Sequence, residues 1–186
     1  LGSLAVSPDG KWIAVRRRDS TATNVVIIDA KQQREITVFP TPDGEWAPLL
    51  FARDGTLLLT AGQTANTIIA WDTRSWRTVA ILEGKSRDSA VLAVSPDGNT
   101  IAASTADSVL VWAMDHRSNP TMLNTGAGHA YSLAFSPDGK TLAIGAIDST
   151  IRLWNIAARQ EVAVFVDHSS YVNSIAFAPD GRAPAS

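Results

Sequence analysis

The chain has 186 residues, 45 % hydrophobic and 18 % charged, with 16 Lys and Arg against 18 Asp and Glu and a formal net charge of −2. This is a globular composition, long enough for a sizeable core, and its balanced charge gives no global drive toward nucleic acid or an anionic membrane. Cysteine is absent, which excludes disulfides, thiolate metal sites and a Cys nucleophile, and no apolar run approaches the ~20 residues of a membrane helix.

From the N-terminus, Leu4-Ala5-Val6 reads as a short strand, followed by the turn Ser7-Pro8-Asp9-Gly10. Variants of that turn return as Ala52-Arg53-Asp54-Gly55, Ser95-Pro96-Asp97-Gly98, Ser136-Pro137-Asp138-Gly139 and Ala178-Pro179-Asp180-Gly181. The glycines at 10, 55, 98, 139 and 181 are separated by 45, 43, 41 and 42 residues. Pro sets φ for the first turn position, Asp bonds the local backbone and Gly accepts positive φ, so each phrase between alternating apolar runs predicts a tight β-hairpin. Further runs keep the same beat: Val25-Val26-Ile27-Ile28-Asp29, Ile68-Ile69-Ala70-Trp71-Asp72, Val109-Leu110-Val111-Trp112-Ala113 and Ile151-Arg152-Leu153-Trp154-Asn155. Their apolar and β-branched character predicts strands buried on both faces, and a fourth apolar run follows each. A period of this length fits propeller blades of four short strands. The expected layout is blade 1 over about 1–39, blade 2 over about 46–82, blade 3 over about 88–124, blade 4 over about 130–166 and the start of a fifth over about 171–186, its first strand running from Val172 to Ala178.

Residues Ala134 to Asn155, with Ser-Pro-Asp-Gly and Ile-Arg-Leu-Trp-Asn in phase, resemble the WD40 repeat family, and the resemblance extends over essentially the whole chain. It implies an all-β propeller of four-stranded antiparallel blades, about four blades plus one strand, in a family that commonly closes with seven. Both ends read as cut, so association through exposed blade edges is expected if the propeller is incomplete. The family often carries a tetrad of His, Ser or Thr, Asp and Trp. Asp148 stands six residues before Trp154 and His168 twelve before Asp180, as that pattern asks, but Ile144 occupies the Ser position and Lys85 replaces a loop His. The resemblance thus assigns structural roles to Trp71, Trp112, Asp148, Trp154 and His168, with blades held more by packing than by buried polar networks.

Motifs for other chemistry fail on context. Gly139-Lys140-Thr141 and Gly84-Lys85-Ser86 lack the glycine five residues earlier that a phosphate loop needs, since Ala134 and Val79 stand there. His116, His129 and His168 show no metal-ligand spacing, and no Gly-x-Ser-x-Gly elbow occurs. No catalytic residue, metal or cofactor is expected. Arg16-Arg17-Arg18 reads as a solvated loop, with contact to an acidic partner or phosphate as the functional alternative. The resemblance implies a non-catalytic interaction scaffold, cytoplasmic, for a protein or peptide partner and not for nucleic acid or membrane. Its binding face would carry Arg17, Arg18, Trp46, Arg87, His129, Ser149, Ser170 and Tyr171. Two other readings stay open: a regulatory propeller of a larger kinase, protease or hydrolase, and a TolB-like periplasmic propeller. Catalysis by the propeller itself ranks last, because the first strands offer no acidic or His cluster.

Overall fold

The structure, a computed structural model, describes residues 4–18, 22–41, 49–52, 54–61, 67–83, 91–105, 107–114, 120–181 and 184–185. Among these the regular elements are all strands, grouped in two compact units, residues 1–85 and 86–186. The first unit holds the sheet β1 (Leu4–Val6), β2 (Trp12–Arg18), β3 (Thr23–Asp29), β4 (Arg34–Thr41) and the sheet β5 (Leu49–Phe51), β6 (Leu57–Ala61), β7 (Thr67–Asp72), β8 (Thr78–Glu83). The second holds β9 (Leu92–Val94), β10 (Thr100–Ser104), β11 (Val109–Ala113), β12 (Thr121–Leu123), then β13 (Ala130–Phe135), β14 (Thr141–Ala146), β15 (Ile151–Asn155), β16 (Gln160–Phe165). A hairpin of β17 (Ala176–Phe177) and β18 (Pro184–Ala185) completes it. Each four-stranded sheet is an antiparallel meander in which sequence neighbours pair, the form of a propeller blade.

The recurring turn builds each inner hairpin. The Gly10 amide bonds the Ser7 carbonyl at 2.8 Å and Gly10 takes φ 68°, and Gly55, Gly98, Gly139 and Gly181 adopt φ between 70° and 74° with the same bond. A side chain at any of these positions would meet backbone strain that glycine avoids. The serine closes the motif: Ser7 Oγ donates to Asp9 at 2.6 Å and accepts the Trp12 amide at 2.8 Å. Ser95 and Ser136 repeat this with Asp97 and Thr100, and with Asp138 and Thr141. These hydroxyls, followed by a backbone amide of the turn, hold Asp9, Asp97 and Asp138 below the ordinary carboxyl value. Within each unit the turns also stack. The Pro8 ring lies 3.6 Å from where a Gly55 Cβ would stand, as does Pro96 for Gly139 and Pro137 for Gly181.

Two of the four third strands are buried on both faces, as expected. Val25, Val26 and Ile27 of β3 and Val109 through Trp112 of β11 are buried on both faces, whereas in β7 only Ile68 and Ala70 and in β15 only Ile151 and Trp154 are buried. In the first unit Ala14, Val25, Ile27 and Phe39 pack on Phe51 and Leu58 of the next sheet. In the second, Val109, Val111 and Leu123 pack on Leu133, Leu142, Ile144 and Trp154.

The first strand of the fifth sheet is shorter than the expected run from Val172 to Ala178. The Val172 amide bonds the Ala146 carbonyl at 3.2 Å, and its carbonyl accepts Ser132 Oγ at 2.9 Å. Both its backbone groups are thus spent on the fourth sheet, and strand pairing begins only at Ala176. Gly145 permits this approach, because a Cβ there would lie 2.4 Å from Ser132 Oγ and 2.8 Å from Val172.

Candidate functional site

In a meander the turns alternate between two ends of the sheet. The Pro-Asp-Gly turns and the third-to-fourth-strand turns share one end. At the other, here the upper end, the chain enters each first strand and crosses from second to third. The fourth sheet brings several predicted binding residues together there. The His129 carbonyl accepts the Ile147 amide at 2.9 Å, which ties the segment before β13 to the turn after β14. The His129 ring stands edge-on to Tyr131, centroids 5.1 Å apart, and Tyr131 lies 5.2 Å from Tyr171 at 33°. Tyr131 is 38 % exposed, Tyr171 51 % and Ile147 48 %. Ser149, in the same turn as Ile147, is half-buried with φ 67°, and Ser170 is exposed beside Tyr171. Val172, adjoining Tyr171, is buried on Ala143 and Ile151, so the aromatic group stands on a fixed base.

Asp148 occupies that turn, with its carboxylate accepting Thr150 Oγ1 at 2.6 Å and the Thr150 amide at 3.1 Å. Arg152 lies between two acids, 3.2 Å from Asp148 and 3.0 Å from Glu161. Partial burial raises the Asp148 carboxyl, but the Thr150 bonds and the Arg152 guanidinium outweigh it and hold the group below its ordinary value. Burial likewise works against the Arg152 charge, and the two carboxylates more than offset it, so its pKa is raised. Asp148 therefore serves Thr150 and Arg152. Trp154 is buried, and its Nε1 has no acceptor among the described residues. Ile144, paired opposite Arg152, fills the place where Thr60 of the second sheet accepts Trp71 Nε1 at 2.9 Å. Trp112 is buried, while Trp71 and His168 are half-buried.

The basic run lies in the first unit at the end of β2, where burial falls away toward the strand end. Arg16 is buried, Arg17 is exposed and paired with Glu35 at 2.6 Å, and Arg18 is exposed. Trp46, Arg87, Lys85 and His116 lie outside the described residues. A cavity of about 230 Å³ between the third and fourth sheets is lined by Thr100, Val111, Leu123, Ile156 and Arg159, smaller than most small-molecule sites. Among the described residues no group of three or more His, Asp and Glu stands close enough to hold a metal ion, and no helix is long and apolar enough to cross a membrane. Tyr131, absent from the predicted face, was signalled by its position at a loop-to-strand junction beside His129.

Comparison with known proteins agrees with this architecture. The family model described as "WD domain, G-beta repeat" matches residues 76–112, 120–155 and 159–183. Each complete match starts at the fourth strand of one sheet and stops within the third strand of the next. The chain is 29 % identical over 181 residues, 97 % of its length, to an uncharacterized WD repeat-containing protein of Synechocystis sp. (strain ATCC 27184 / PCC 6803 / Kazusa), and spans 39 % of that protein. With matched repeats over more than half of its residues and four blade-type sheets, the chain belongs to the WD40-repeat family.

Proposed function

We propose that this chain is a non-catalytic platform that holds a protein or peptide partner at the upper end of its sheets. The observation that carries this reading is the exposed group of Tyr131, Ile147 and Tyr171, with the half-buried His129 ring edge-on to Tyr131, on a backbone pinned by hydrogen bonds between three segments. Aromatic side chains already held in place lose little freedom on binding, which is why such residues dominate interface energetics. WD40 repeats are generally interaction modules, which supports the same reading, with fold alone leaving the partner open.

A photo-crosslinking amino acid placed at Ser170 tests the proposal in cells that make the protein naturally, with the same probe at Lys140 at the opposite end as control. A discrete adduct from position 170, lost on replacing Tyr131 and Tyr171 by Ser, is the expected result. Equal labelling from both positions, or none from 170, overturns it.

A further inference from the structure

Charge around the aromatic group narrows the partner. At the upper end of the fourth sheet the charged side chains among the described residues are Asp148, Arg152 and Asp167. The guanidinium of Arg152 is already engaged by Asp148 and Glu161. Asp167 is exposed, four residues before Tyr171. Lys140 and Arg159, the other cations of this sheet, stand in turns at the opposite end. With His129 and His168 neutral at pH 7, the upper end thus joins two exposed phenol rings to an excess of carboxylate, with the Arg152 cation neutralised. Ring faces carry negative electrostatic potential and attract cations that approach within about 6 Å. The chain makes such a contact internally, with Lys11 Nζ 4.5 Å from the centroid of the Trp12 ring.

We infer that Tyr131 and Tyr171 form a seat for a cationic side chain, Arg or Lys, of an extended basic segment on the partner. This rests on the platform reading above and adds the chemistry of the ligand. The two rings lean on each other at 33° with centroids 5.2 Å apart, and both remain exposed, so a flat guanidinium or an alkylammonium stem can lie on a ring face that the pair leaves open. Asp167 then supplies the countercharge at the rim. The contact is exposed, so salt screens it.

The test is titration of the whole 186-residue chain with short peptides alternating Ala with Arg, Ala with Glu, or Ala with Pro, followed by amide shifts of Ile147, Tyr171 and Val172. The Arg peptide is expected to give saturable shifts at these amides. Tyr171→Leu, which keeps apolar bulk but loses the ring face, should weaken it about fivefold, and Tyr171→Phe by less than about twofold. Both variants should melt like the wild type, since the side chain is half exposed. Equal shifts with the Glu or Pro peptide overturn the cationic seat while leaving the platform reading intact. Absence of saturable shifts up to about 1 mM Arg peptide, or an unchanged affinity in Tyr171→Leu, also overturns it, and the crosslinking result then decides the platform separately.

Discussion

The two interfaces between full sheets, one inside each unit, solve the same packing problem with different chemistry. In the first, Phe39 stacks on Trp71 at 3.9 Å, Trp76 leans on Phe39 at 6.2 Å and meets Trp12 edge-on at 5.4 Å. Trp71 Nε1 finds Thr60. In the second, Leu123 pairs with Val109 as Phe39 pairs with Val25, and its neighbours across the interface are aliphatic apart from Trp154 and Phe135. There Trp154 Nε1 is buried without an acceptor among the described residues. Apolar volume at the register positions is therefore what a blade interface requires. The indole hydrogen bond is an addition that one interface has and the other does without.

Removing that volume should give the largest effects. Phe39→Ala is expected to cost about 4 kcal/mol and Leu123→Ala about 3 kcal/mol, read from urea unfolding. Four of the six tryptophans, Trp12, Trp46, Trp71 and Trp76, fall in residues 1–85, so fluorescence weights the first unit and circular dichroism reports both. Equal costs for the two substitutions would show that the larger aromatic volume at Phe39 adds nothing to the first interface.

The hydroxyl comes next. Thr60→Val keeps the shape of the buried Thr60 side chain but strands Trp71 Nε1, and should cost about 2 kcal/mol. Ile144→Thr offers Trp154 the acceptor it lacks. The new bond should offset most of the lost apolar contact, leaving a change of about 0.5 kcal/mol or less, whereas Ile101→Thr, which pairs opposite Trp112 in the β10 core, should cost about 2 kcal/mol. Similar losses for the two Ile→Thr variants would show that Trp154 is content without a partner.

Acid should produce the smallest difference. The Ser-held carboxyls Asp9, Asp97 and Asp138 have folded pKa values below the ordinary 3.8, so their stabilisation is present above that pH and fades as pH falls through the lower folded values. The second unit has two such turns and the first has one, since Ala52 replaces Ser in the other. Ser95→Ala should lower stability at neutral pH by about 1 kcal/mol, with the gap to wild type narrowing below pH 3.8 to the part due to the stranded Thr100 amide. Parallel curves down to the acid limit would separate the hydroxyl from the carboxyl.

The sheets were legible in the sequence because their signals are local. A Gly that must take positive φ after Pro-Asp and an apolar third strand state their structure within ten residues. The partners of each strand across a blade interface are not local. Trp12 and Trp76 carry no motif, yet they meet edge-on because one starts a second strand and the other sits at φ 54° in a third-to-fourth-strand turn. That turn was itself unsignalled. It is capped by the strand-ending Asp29, Asp72 and Asn155, whose side chains accept the amides of Gln32, Ser75 and Ala158. The docking of Val172 was equally hidden, since it depends on Ser132 and Gly145 of another sheet. At the candidate site the positions of His129 and Tyr171 were readable as loop residues, while their convergence through Tyr131 required the fold.

The stacking of each Pro ring on the next turn's Gly bears on how such a chain changes length over generations. Pro8 on Gly55, Pro96 on Gly139 and Pro137 on Gly181 are one contact at one distance, indifferent to the sequence between them. The matched repeats straddle sheets, running from one fourth strand to the next third strand. A gain or loss of one whole Pro-bearing repeat would therefore offer the same ring to the following glycine, and would leave the hydrogen-bonded frame of every remaining sheet complete. A fraction of a repeat would instead leave one sheet short of a strand and its backbone groups unpaired.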